Sequence, residues 1–173
     1  MEYSENRIRD FVLEQLINKI GNDKSVQILQ LSSKYVIEKK LTVITCEVEG
    51  LLKYDLPNGF TLTHKSDILF SILNKNHITQ KSYISIEVKH KSAVTDQFKS
   101  RTYDMIHLKQ TYGAQIFGIL LYIKTNKGIS GTQAAKISYS YDKFFLINFA
   151  EIDKQGLWDE FCQEVISFLF KTG

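Results

Sequence analysis

The sequence predicts an α/β fold in which a mixed β-sheet is flanked by helices. Three observations lead to this prediction. Residues 4–20 have apolar side chains at helical spacing, residues 82–91 alternate apolar and polar side chains, and residues 114–124 form an almost continuous apolar run. These patterns indicate an amphipathic helix, a half-buried strand and a strand buried on both faces. Because a helical stretch separates the two strands, they are expected to be parallel neighbours joined by a crossover.

Length and composition fit one domain over residues 1–173. Hydrophobic residues make up 43% and charged residues 24% of the chain, as in ordinary soluble proteins. No apolar run reaches the roughly 20 residues that a membrane span needs, and no secretory signal is visible. We therefore expect a cytoplasmic protein with no membrane partner. The isolated Cys46 and Cys162 are expected to be free thiols.

The first element is predicted as a helix over residues 4–20, with Ser4 as its N-cap and Gly21 as its stop. Five apolar residues form its buried stripe: Ile8, Phe11, Val12, Leu16 and Ile20. At about 100° per residue, Glu5 projects onto this stripe, whereas Glu14 lies opposite. Glu5 is therefore expected to face inward. Its position also has a simpler explanation, because a carboxylate is favoured at the positive N-terminus of a helix.

Residues 22–34 are ambiguous between a short strand and a turn, and residues 35–53 have a strong β pattern. Residues 54–59 contain Pro and Asn-Gly and predict a turn. Residues 60–73 and 82–91 predict two antiparallel strands. The polar residues between them predict the loop of this hairpin, over residues 74–81.

The second strand of this hairpin has two different faces. Its apolar set faces the core and consists of Ile84, Ile86 and Val88. The other set contains Glu87 and Lys89, two residues apart. Because apolar density in the first strand rises after Asp67, an antiparallel pairing can bring Asp67 beside Glu87 and Lys89. A cross-strand salt bridge on a solvated face is the structural alternative for these three residues.

The second half of the chain continues the alternation of helices and strands. A helix is predicted over 93–112 and ends at Gly113, and the strand over 114–124 follows. The remaining predictions are a loop over 125–132, a short helix over 133–141, a strand over 144–149 and a helix over 151–170.

Asp67 and the triplet Glu87-Val88-Lys89 resemble the PD-(D/E)xK nuclease superfamily, in which an acid on one strand precedes Glu/Asp-x-Lys on the next. This chain has Ser66-Asp67 where the family often has Pro-Asp. The resemblance covers roughly residues 1–125. It implies a restriction-endonuclease-like core of the order αβββαβ, followed here by helix–strand–helix. Residues 4–7 are also similar to the start of archaeal-type Holliday-junction resolvases, although the gap from Glu5 to Asp67 is longer.

The resemblance implies a magnesium or manganese site and a role for each matching residue. Asp67 and Glu87 would hold the metal ion, and the Val88 carbonyl would add a neutral ligand. Lys89 would orient or help deprotonate the attacking water and stabilise negative charge in the transition state. Glu5 would bind a second ion or complete the site.

Several other residues are further candidates for the site. Gln97 matches a glutamine that assists catalysis in some relatives, although the RecB-like spacing Gln-x-x-x-Tyr is absent because residue 101 is Arg. Glu47 and Glu49 can approach the site, but solvent-facing alternation is favoured. Four histidines show no zinc spacing and are expected at the surface or as DNA contacts: His64, His77, His90 and His107.

The implied function is a Mg²⁺-dependent DNA endonuclease, of restriction, junction-resolving or repair type. A net charge of +3 permits DNA binding without requiring it. A homodimer is expected because cutting a duplex needs two sites. The alternative is a non-catalytic domain of the same fold that binds nucleic acid or protein.

Overall fold

The structure is a computed structural model that describes residues 4–90, 95–124, 135, 139–148 and 156–171, without the side chains of 95–99 and 124. The helices are α1 (Glu5–Gly21), α2 (Thr95–Tyr112) and α3 (Gly156–Leu169). The first four strands are β1 (Gln27–Leu31), β2 (Lys34–Lys39), β3 (Thr42–Asp55) and β4 (Thr61–Asn74). The last three are β5 (His77–His90), β6 (Ile116–Lys124) and β7 (Lys143–Asn148).

The described residues form an α/β fold, with one mixed sheet of seven strands in the order β1 to β7. Strands β1 to β5 form an antiparallel meander. Strand β6 pairs with β5 in parallel, with Tyr83 opposite Ile116, and β7 pairs with β6 in parallel. The predicted crossover from β5 through α2 to β6 is therefore confirmed.

Helices cover both faces of the sheet. On one face α1 and α3 pack on the apolar residues of the central strands, including Ile84, Ile86 and Val88. We call this face the α1 face. On the other, the α2 face, Met105 and Leu108 of α2 are fully buried. Strand β6 is buried on both faces, as its apolar run predicts.

The first helix forms as its sequence predicts. The Ser4 side chain accepts a hydrogen bond from the Arg7 N–H at 3.3 Å, which satisfies one of the free donors of the first turn. The predicted stripe lies against the sheet, with Ile8 and Leu16 fully buried. None of the helices in the described ranges is long and apolar enough to cross a membrane.

The predicted boundaries were wrong in two places. The β pattern over 35–53 is two strands, because Lys40 takes a positive φ of 53° and turns the chain between β2 and β3. The stretch 74–81, predicted as a loop, is mostly strand: the chain turns at residues 75–76, and β5 begins at His77. The Asn74 side chain accepts from the Asn76 N–H at 2.9 Å and closes this turn.

The predicted strand 144–149 and helix 151–170 correspond to β7 and α3, whose Trp158, Phe161, Val165 and Leu169 are buried as expected. The loop over 125–132 and most of the helix over 133–141 lie outside the described residues.

The alternation of side chains along β4 reverses at Asp67. Ile68 and Phe70 belong to the core of the α1 face. His64, which has the same parity, instead contacts Asp104 of α2 and is therefore on the α2 face. The register of β3 with β4 skips Glu49 and Asp67, between the pairs Val48–Ile68 and Gly50–Ser66, and Glu49 has a positive φ of 55°. This paired irregularity places polar residues of β4 on the α2 face and Asp67 at the reversal.

Candidate active site

The Asp67 carboxylate contacts β5 at the residue between Glu87 and Lys89. Its Oδ2 accepts a hydrogen bond from the Val88 N–H at 2.8 Å. Asp67 is half-buried, and no described cation forms an ion pair with it. Burial, followed by the charge of Glu87, raises the pKa of Asp67 to about 6, against the opposing effects of the Val88 N–H and of Lys89. The structure therefore places the Asp67 carboxylate against the backbone of β5 between Glu87 and Lys89, while the side chains of Glu87 and Lys89 contact other residues.

Glu87 is completely buried and is held from two sides on the α2 face. Its Oε1 lies 2.6 Å from His64 Nε2, and its Oε2 lies 3.2 Å from Arg101 Nη1. The Arg101 contact lacks hydrogen-bond geometry, so Oε2 has no hydrogen-bond donor among the described side chains. A buried carboxylate thus has two cations beside it but one oxygen that is not satisfied.

His64 joins Glu87 to a hydrogen-bonded chain. Its Nδ1 lies 2.9 Å from Asp104 Oδ2, and the Tyr54 hydroxyl donates to Asp104 Oδ1 at 3.0 Å. Both ring nitrogens of His64 therefore face carboxylate oxygens, and two ionised carboxylates can both accept from this ring only if it is the doubly protonated imidazolium. Burial lowers the pKa of His64, but the hydrogen bonds and charges of Asp104 and Glu87 outweigh it and raise this pKa to about 9.

The prediction that His64 lies at the surface was wrong. Its side chain is 1% exposed, because the reversal at Asp67 turns it under α2. No local pattern around His64 indicates this network, since Glu87 is 23 residues away along the chain and Asp104 is 40. A weak indication lies in α2, where Arg101 and Asp104 are three apart and share a helix face. Of the other three histidines, His77 is exposed, and His90 and His107 are half-buried.

Lys89 pairs with Glu5 across the end of the sheet. The Lys89 ammonium, with its side chain 8% exposed, lies 3.0 Å from Glu5 Oε1. The prediction that Glu5 faces inward was wrong, because its side chain is 48% exposed at the start of α1, and its carboxylate contacts the Lys89 amine. Glu14 lies elsewhere, in a groove lined also by Ile28 and Tyr35.

The other residues that were predicted as additions to the site, Glu47, Glu49 and Gln97, have no described contact with Asp67, Glu87 or Lys89. Glu49 is exposed and pairs with Arg9 and Lys65 at 3.6 and 3.7 Å, while Glu47 is half-buried in the centre of β3. Gln97 lies in the first turns of α2, and its side chain is outside the described residues.

The donor atoms at Asp67 and Glu87 fit a hard divalent ion. Among the described residues, no three His, Cys, Asp or Glu side chains form a group that could hold a metal. Magnesium usually needs only one or two carboxylates, because it retains several waters and binds substrate phosphates. Glu87 Oε2, which has no hydrogen-bond donor among the described residues, and the Asp67 carboxylate, which forms no ion pair with a described cation, are oxygens of that kind.

We expect the free energy of unfolding to fall as the pH rises from about 6.5 to 9. The pKa of His64 is higher in the folded than in the unfolded protein, so its contribution is complete below 6.5 and is lost as the pH passes 9. The size is on the order of 3 kcal/mol. Urea unfolding at several pH values measures it. The raised pKa of Asp67 also makes the free energy of unfolding depend on pH, but in a lower range, between pH 3.8 and about 6.

The His64→Gln variant is the control for this profile, because it cannot titrate in that window. A wild-type profile as flat as that of the variant would show that the buried imidazole is neutral in the folded protein.

No protein-family model matches this sequence, and no curated protein matches it significantly.

Proposed function

We propose that the protein is a metal-dependent DNA endonuclease that hydrolyses phosphodiester bonds. The observation that carries this proposal is the contact of Asp67 with the Val88 N–H, because it brings the acid of one strand to the middle of Glu-x-Lys on the next. Two carboxylates with an amine beside them are the groups that such hydrolysis requires. DNA as the partner, Mg²⁺ or Mn²⁺ as the cofactor and a homodimeric assembly belong to the same proposal.

The order of elements supports a restriction-endonuclease-like core. Helix α1, strands β3 to β5, helix α2 and strand β6 follow the order αβββαβ. Strands β1 and β2 are an addition between α1 and this core, and β7 and α3 extend it at the other end. The two carboxylates lie on the second and third strands of the proposed core, where the superfamily carries them.

In this mechanism Asp67 and Glu87 would hold the divalent ion, and the Val88 carbonyl would assist them. When bound, such an ion supplies Lewis-acid stabilisation of the phosphate and lowers the pKa of water. Lys89 donates hydrogen bonds, so its ammonium would orient the attacking water and stabilise charge on the phosphate oxygens. Glu5, at 3.0 Å, would hold the Lys89 ammonium in place.

One observation favours the alternative of a non-catalytic binding domain. Glu87 is 0% exposed and already lies beside His64 and Arg101. Two cations beside one carboxylate can form a purely structural ion network. In that case DNA or protein would bind without being cut, and divalent ions would not bind at Asp67.

We expect Lys89→Met to lower the cleavage rate by about 10² to 10⁴-fold, because the variant loses the positioned ammonium and keeps most of the packing. The assay incubates plasmid, branched and single-stranded DNA with Mg²⁺ or Mn²⁺. Lys75→Met is the matched control, since Lys75 forms an exposed ion pair with Glu38 at 3.4 Å. Full activity in Lys89→Met, or DNA binding without any cleavage by the wild type, would contradict the endonuclease.

A further inference from the structure

We propose that His64, held by Asp104, is a positioning residue that fixes Glu87 so that only its Oε2 is presented to the divalent ion. This inference rests on the proposed function. It adds a part that the motif Asp67 and Glu87-Val88-Lys89 does not contain.

The first step is the path of the hydrogen bonds. The chain runs from Tyr54 on β3 to Asp104 on α2, then to His64 on β4 and Glu87 on β5. Both Asp104 oxygens and both His64 nitrogens are used. With His64 1% exposed and Glu87 0% exposed, water does not compete for the contact between these two residues. Four separate elements therefore fix the rotation of one carboxylate.

The second step concerns the Glu87 oxygen that does not take part in these hydrogen bonds. His64 occupies Glu87 Oε1 at 2.6 Å, whereas Oε2 has no hydrogen-bond donor among the described side chains. A buried carboxylate oxygen without a donor is costly, and a bound cation would remove that cost. Glu87 would therefore bind the ion through Oε2 alone.

The third step is the role of Arg101. Its Nη1 lies 3.2 Å from the same Oε2 and carries a positive charge. A divalent ion at Oε2 meets repulsion from this guanidinium, so Arg101 and the ion compete for one oxygen. The charge of His64 also repels the ion, but His64 holds Oε1 and fixes the carboxylate, whereas Arg101 occupies the oxygen that the ion would take. Removal of His64 should therefore weaken ion binding, and removal of Arg101 should strengthen it.

The test is the affinity of the full chain for Mn²⁺ without DNA, measured by titration calorimetry on variants shown to be folded by circular dichroism. We expect His64→Leu and Asp104→Asn to weaken Mn²⁺ binding by about tenfold or more, the usual effect of losing a group that orients a metal ligand. His64→Gln can still donate to Glu87 and should lose less. Arg101→Gln should bind more tightly than the wild type.

His77→Leu is the control, because His77 is an exposed histidine of the same strand as Glu87. Cleavage by Asp104→Asn should recover when the Mn²⁺ concentration is raised, which a merely structural role would not produce. Asp104→Asn is milder than His64→Leu and serves if the latter does not fold. Wild-type affinity in both variants would overturn the inference alone. No Mn²⁺ binding by the wild type would overturn the proposed function and the inference with it.

Discussion

The Asp67→Asn variant should lose cleavage and yet be more stable than the metal-free wild type. The pKa of Asp67 is raised to about 6 in the folded protein, chiefly by burial. The contribution of protonated Asp67 to the free energy of unfolding is complete below pH 3.8 and is lost as the pH rises through about 6. Ionised Asp67 therefore costs about 2–3 kcal/mol at pH 7. Asn does not ionise, and its carbonyl oxygen can still accept from the Val88 N–H.

Urea unfolding at pH 7 in the presence of a chelator measures this gain. Asp10→Asn is the control, because Asp10 is exposed and its ion pair with Arg9 should contribute at most about 1 kcal/mol. Equal or lower stability of Asp67→Asn would show that Asp67 has a stabilising partner in the folded protein. A gain in stability together with a loss of function is typical of a residue kept for its chemistry.

The Glu87→Ala variant should be destabilised by about 3–5 kcal/mol. Removing this carboxylate leaves the buried charges of His64 and Arg101 without their partner, and an uncompensated buried charge is the costly result of breaking such a network. The expected loss is a large fraction of the stability of an ordinary domain. Chemical unfolding at pH 7, where His64 is charged, gives the value.

Glu38→Ala is the matched control for this variant. Glu38 forms an ion pair with Lys75 at 3.4 Å in which both side chains are about half exposed. Such surface pairs contribute about 0–1 kcal/mol. A loss in Glu87→Ala no larger than in Glu38→Ala would mean that Glu87 does not compensate buried charge. Asp67 and Glu87 are thus expected to have opposite effects on stability, although both are proposed to hold the same ion.

Much of the sheet could be predicted because its local patterns agree with its tertiary packing. The alternation along Ile84, Ile86 and Val88 matches one buried face of β5, and the apolar run of β6 matches burial on both faces. The hairpin loop was predicted too long because the first residues of β5 are polar. These residues are exposed in the structure, because this part of β5 extends beyond the helices that pack on the sheet. It therefore has no alternating apolar pattern that would predict a strand.

The candidate site could be predicted only where its residues are close in sequence. Glu87 and Lys89 stand in one strand, and a hairpin is the shortest way to bring Asp67 to them. The contact of His64 with Glu87 depends on the reversal at Asp67, where Glu49 takes a positive φ. Nothing in the periodicity of β4 indicates that its side chains change faces. For this reason the sequence alone predicts His64 at the surface.

The central claim is that Asp67 and Glu87 share a divalent ion, and the most direct test is a calorimetric titration of Asp67→Asn with Mn²⁺ beside the wild type. Loss of binding in this variant cannot be attributed to unfolding, because the variant is expected to be the more stable protein. The account predicts that the wild type binds Mn²⁺ and that Asp67→Asn binds it at least about tenfold more weakly. Equal binding by the two proteins would contradict it.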